Sequence, residues 1–145
     1  MTFLLHPRLA ADCHVAGDFP LCRLLLMNDA RYPWFILVPR RENLREIYEL
    51  SETDQRQLLL ESAQLSRALM QAFKGDKLNV AALGNVAPQL HLHHIVRFQN
   101  DPAWPAPVWG KQPATPYTGT QRAERLALLL PRLSEPRLLE HGQPG

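Results

Sequence analysis

The sequence predicts an α+β fold: an antiparallel sheet carrying one long helix, followed by a Pro/Trp-rich C-terminal arm and a short terminal helix. Three observations carry this. None of the 13 prolines lies between Pro39 and Pro88, whereas eight fall from Pro102 onward. Inside that proline-free window Leu58, Ser62, Leu65, Leu69, Ala72 and Phe73 recur at the three- and four-residue spacing of one helix face. Around it stand short apolar, β-branched and aromatic runs at 21–27, 34–38, 77–83 and 89–98, the signature of buried strands.

Taken in order, residues 3–13 form a packing segment, helix or strand, with Pro7 near its start. The runs 21–27 and 34–38 enclose Asn28, Asp29 and Pro33, which are turn residues, so they make an antiparallel strand–turn–strand unit. Asn43-x-x-Glu46 opens a short helical segment to about Leu50. Ser51-x-x-Asp54 caps the long helix, which stops at Lys74-Gly75. After the strand at 77–83, Gly84-Asn85 breaks the pattern ahead of the segment 89–98. Residues 100–117 are too rich in proline for a helix and make a long ordered loop, and Thr118-x-x-Gln121 caps a final helix stopped by Pro131. Residues 137–145 are expected to fray.

Composition narrows the function. With 145 residues, 46% hydrophobic and 21% charged, the chain can bury one core and is not a disordered segment. Residues 1–100 carry 11 basic and 10 acidic side chains, and 101–145 carry 5 and 4, so no basic stripe favours nucleic acid as a partner. No apolar run approaches the ~20 residues of a membrane span. Two cysteines, Cys13 and Cys22, are too few for a disulfide scaffold, and with no signal peptide in view the expected compartment is the cytoplasm.

The chemistry concentrates at 89–98, where three of the six histidines fall within four residues. On a strand, Gln89, His91, His93, Ile95 and Arg97 share one face, and Leu90, Leu92, His94, Val96 and Phe98 share the other. The second face is apolar apart from His94, so it belongs in the core under the long helix, with His94 structural. The first presents an amide and two imidazoles in a row. Three readings of that row are open from spacing: a metal site built on H-x-H, nucleophilic catalysis by an imidazole, or histidines satisfied by ordinary packing.

The segment resembles the histidine-triad (HIT) superfamily of nucleotide hydrolases and transferases, whose hallmark is His-φ-His-φ-His-φ-φ with φ apolar. The register places Gln89 at the first histidine position, His91 at the middle and His93 at the third, with Arg97 trailing. The likeness extends over roughly residues 3–100, including Leu37-Val38-Pro39-Arg40 at the end of the second strand. It is closest to the bacterial branch resembling diadenosine-polyphosphate hydrolases. It implies a HIT-like domain over 1–100, with 101–145 an arm and helix packed on the same domain or on a dimer partner.

What the resemblance implies is a reaction. His91 attacks the α-phosphorus of a nucleotide polyphosphate and forms a nucleotidyl-histidine. His93 hydrogen-bonds the phosphate, and water or another acceptor releases the nucleotide. Gln89 is the departure: an amide hydrogen-bonds but carries no proton at neutral pH, so substrates with good leaving groups suffer least. A transferase, or a nucleotide-binding module with little turnover, are the alternatives. The resemblance also places Asn28 against the ribose and Asn85 near the phosphates, while Asn28 is equally a turn former. Asn79 either reaches the site or bonds the neighbouring strand. Arg97 is expected as a solvated or interface residue. Trp34 is expected in the core, and Trp104 and Trp109 pack the arm with a contribution to the site rim. The positions of Cys13, Cys22 and His14 do not match the zinc site of some bacterial relatives, so no metal and no cofactor is expected. The expected partners are a nucleotide substrate and a second copy of the chain.

Overall fold

The computed structural model describes residues 3–133. Five strands form one sheet: β1 (Cys13–Asp18), β2 (Cys22–Met27), β3 (Trp34–Pro39), β4 (Lys77–Ala81) and β5 (Leu92–Arg97), in the spatial order β1-β2-β3-β5-β4. Every neighbouring pair is antiparallel. Among the described residues, three α-helices complete the fold: α1 (Pro7–Asp12), α2 (Glu52–Phe73) and α3 (Gly119–Leu129). This is the α+β architecture that the sequence predicts.

The central strands are covered on both sides. One face of the sheet, with Leu24, Leu26, Phe35, Leu37, Leu92 and Val96, packs with Leu58, Leu65 and Leu69 of α2 and Leu129 of α3. The other face, with Leu25, Trp34, Ile36, Val38 and Ile95, packs with Leu9 of α1 and with Ala103 and Val108 of the arm. The arm therefore lies on the sheet of its own chain. Among the described residues, no helix is long and apolar enough to cross a membrane.

Helix α2 starts where Ser51 Oγ accepts the Asp54 N–H at 3.1 Å, as its capping pattern predicts. At its other end the left-handed residue is Lys74 (φ 53°) rather than Gly75. Gly75 is needed for space: a Cβ there would stand 2.2 Å from Val96 Cγ1 on β5. The buried face of α2 also includes Glu61, whose carboxylate accepts the Leu21 and Cys22 N–H groups at 2.8 and 2.9 Å. It satisfies two backbone donors at the start of β2.

Three differences from the sequence expectation have local causes. Strand β1 is not signalled, because a bulge between Val15 and Gly17 leaves Ala16 unpaired and breaks the alternation. The segment expected to open at Asn43 contracts to one 3₁₀ turn, Ile47–Glu49, closed by a reciprocal Glu46/Glu49 box, while Asn43 takes a left-handed conformation (φ 57°). The ladder of β5 begins at Leu92 rather than Gln89, because the Leu90 N–H is taken by the Leu44 carbonyl at 2.9 Å. Thr118 caps α3 with Gln121 in a capping box, as expected. The expected frayed segment, 137–145, lies outside the described residues.

Candidate active site

The alternation expected for 89–98 survives although His91 precedes the ladder. His94 points into the α2 side of the sheet, completely buried. Its Nδ1–H donates to the Leu92 carbonyl at 3.1 Å, which leaves Nε2 to accept the Ser62 hydroxyl at 2.7 Å. Burial pushes its pKa down to about 4, so it is a neutral, fully bonded core group.

His91 and His93 lie on the opposite side, with ring centroids 4.9 Å apart and planes 67° from parallel. They line a cavity of about 320 Å³. Its apolar wall includes Leu9 of α1, Met27, Ile36 and Trp109, and Asn85 and Val86 come from the loop before β5. Such a cavity, mostly apolar with a few convergent polar groups, suits a small organic ligand with a polar reacting end. Both imidazoles are buried, at 6% and 5% exposure. Burial holds His91 below its ordinary value, with a smaller push in the same direction from His6. Burial, then the neighbouring His91 and His94, press His93 down to about 3. Both are therefore neutral near pH 7.

The hydrogen-bond partners set the proton positions. His91 Nδ1 is 2.7 Å from the Gln89 carbonyl, an acceptor only, so Nδ1 carries the hydrogen and Nε2 holds the lone pair. That is the arrangement a nucleophilic imidazole needs.

The other expected site residues are placed differently. Gln89 is not among the cavity-lining residues: its Oε1 accepts the His6 N–H at 2.7 Å and its Nε2 donates to the Leu4 carbonyl at 3.0 Å. It clamps the segment that leads into α1. Asn28 Oδ1 accepts the Tyr117 N–H at 2.9 Å, joining the β2–β3 turn to the arm. Asn79 Oδ1 accepts from Arg97 Nη1 at 2.9 Å. Of the three asparagines, only Asn85 lines the cavity. Arg97 is neither solvated nor at a surface; it is 1% exposed and held by both oxygens of Asp101, at 2.8 and 3.0 Å. Tyr32 and Trp104 flank its guanidinium at 5.8 Å. The Cys13 and Cys22 thiols are free and buried enough that Cys13 is pushed up to about 12 and Cys22 further. Among the described residues, no group of three or more His, Cys, Asp or Glu side chains could hold a metal ion.

The family model of the HIT domain matches residues 8–100, well over half of the chain. The chain belongs to the histidine-triad family. Similar solved structures are HIT proteins from three bacteria. The Marinobacter aquaeolei protein is 61% identical, with 92% of this chain and 97% of that chain covered and a TM-score of 0.89. The Bradyrhizobium japonicum protein is 44% identical, with 92% and 100% covered and a TM-score of 0.90. The Sinorhizobium meliloti protein is 41% identical, with 91% and 98% covered and a TM-score of 0.89. No curated protein matches the chain.

In this HIT protein the histidine strand alone does not make the cavity. Trp109, Met27 and α1 complete it. The crowding of Trp and Pro just after the strand was the available signal for Trp109, while α1 and Met27 arrive through tertiary packing that no local pattern marks.

Proposed function

We propose that this HIT protein cleaves nucleotide polyphosphates through a nucleotidyl-histidine on His91, handing the nucleotidyl group to water. The observation that carries the reading is the 2.7 Å contact of His91 Nδ1 with the Gln89 carbonyl, which leaves the Nε2 lone pair for attack. In the first step Nε2 bonds to the α-phosphorus as the bond from phosphorus to the bridging oxygen breaks, and the leaving phosphate departs with the electron pair. In the second, water attacks the same phosphorus, the N–P bond breaks with its electron pair returning to Nε2, the proton from the water passes to solvent, and neutral His91 returns. Splitting one displacement into two is the gain of covalent catalysis, and hydrogen-bond donors aimed at the phosphoryl oxygens lower both barriers. The apolar wall with Trp109 suits a nucleobase, and Asn85 suits a phosphate or ribose oxygen.

The side chain of Gln89 supports a restriction on substrate. It has no proton to give and both its polar atoms are bonded to the N-terminal segment. The leaving group must therefore depart as an anion, which favours polyphosphates over amines or alcohols. The same observation supports the second reading, a nucleotide-binding module with slow turnover.

The test is incubation with a dinucleoside polyphosphate, acid-free quench and mass spectrometry of the His91 peptide. The expected result is an acid-labile nucleotidyl adduct on His91 and loss of hydrolysis by at least about 1,000-fold in His91→Ala. Binding without adduct or product would select the binding module. Hydrolysis at the wild-type rate by His91→Ala would overturn the nucleophile.

A further inference from the structure

Trp34 opens β3 and pairs with Ile95, so its side chain shares the face of β5 that carries His93. Its indole Nε1 lies 3.0 Å from His93 Nδ1, and the two residues are 4% and 5% exposed. An indole nitrogen only donates. His93 Nδ1 must then be the acceptor and carry no hydrogen, which leaves the hydrogen on Nε2. His91, whose Nδ1 faces a carbonyl, has the reverse arrangement. Two neighbouring imidazoles thus hold opposite tautomers, each dictated by a partner that can play only one part.

We propose that Trp34 is the positioning residue that locks His93 as the Nε2–H tautomer, so that His93 serves the reaction only as a neutral hydrogen-bond donor to a phosphoryl oxygen. Adding a proton to Nδ1 would set two N–H groups against each other across 3.0 Å in a buried space. The low pKa of His93, about 3, agrees with that exclusion. Tyr32 and Trp109 meet the Trp34 ring edge-on at 6.3 and 5.9 Å and keep it in place. Trp34 itself does not line the cavity and touches no substrate; it acts through His93. The catalytic consequence rests on the proposed nucleotidyl transfer to His91, whereas the tautomer does not.

The test reads the tautomer directly. Long-range 1H–15N spectra of protein labelled with 15N at histidine and tryptophan, at pH 7, should show His93 with a protonated Nε2 and a bare Nδ1. A scalar coupling across the hydrogen bond should link the Trp34 indole nitrogen to Nδ1. In Trp34→Phe, which keeps an aromatic ring in the space, His93 should populate both tautomers and titrate at higher pH, with kcat about tenfold lower and KM within about twofold. A protonated Nδ1 in the wild type, or no coupling to the indole, overturns the proposal without recourse to any variant. An unchanged tautomer and titration in Trp34→Phe overturns it as well. If the spectra are as expected and no nucleotide is turned over by the wild type, the proposed reaction fails while the control of His93 by Trp34 stands.

Discussion

Asp101→Asn removes the charge that balances the most deeply buried arginine of the chain's described residues. In the wild type the Asp101 carboxylate receives Arg97 Nε and Nη2 and also the N–H groups of Phe98, Ala103 and Trp104, at 2.8 to 3.1 Å. An asparagine keeps one carbonyl oxygen for the turn but points an NH₂ at a guanidinium. Breaking a buried pair from one side costs about 3–5 kcal/mol, because the remaining charge is left without compensation. A second number comes from pH. Burial pushes the Asp101 carboxyl up, but these donors outweigh it and hold it at about 2 instead of 3.8, which at ~1.4 kcal/mol per pH unit is about 2 kcal/mol of stability. The folded pKa is the lower one, so that stability is present above pH 3.8 and disappears as pH falls toward 2. Urea unfolding at pH 7 should therefore show Asp101→Asn destabilised by about 3–5 kcal/mol. Repeated between pH 4 and 2.5, wild type should lose stability more steeply than the variant. A difference below about 0.5 kcal/mol at pH 7, or identical acid slopes, would refute the account of Arg97 and Asp101 as a buried ion pair.

Two further outcomes are open to measurement. Gly75→Ala should lose about 1–3 kcal/mol in thermal or urea unfolding, because its methyl group meets Val96 Cγ1 at 2.2 Å and the Arg97 carbonyl at 3.0 Å; a neutral or stabilising result would show that β5 gives way easily. His94 has its folded pKa lowered from 6.5 to about 4, so its neutral, buried form contributes stability that is full above pH 6.5 and is lost as pH falls to about 4. His94→Gln should flatten that part of the stability–pH curve while lowering stability at pH 7, and a curve parallel to wild type would contradict it.

Four of the five strands, the long helix and the division of faces at 89–98 were legible in the sequence because each has a local cause. Ser51 caps, the 4-3-4-3 spacing buries one helix side, and alternation sends His94 one way and His91 and His93 the other. What was not legible depends on how loops and packed elements bring polar partners together, whether near or far in sequence. Arg97 looks like a surface cation until Asp101, Asn79 and Ala106 converge on it. Glu61 sits on the buried side of α2 because two backbone donors of β2 await it there. Gln89 looks like a member of the catalytic row by register, yet both its polar atoms turn to Leu4 and His6. Asn28 and Asn79 likewise accept from donors that local sequence does not mark, the Tyr117 N–H and Arg97 Nη1.

The bond between Arg97 and Asp101 also bears on the depth of the cavity. His91 and Trp109, which line the same cavity, sit on one continuous stretch, and that stretch is pinned at Asp101 between them. Backbone spacing from the pin to Trp109 thus acts as a ruler for the depth of the cavity. A residue inserted between Asp101 and Trp109 would leave the β5 ladder in register but move the indole that meets both Trp34 and His93, so chain length in the arm acts on cavity size and on His93 together.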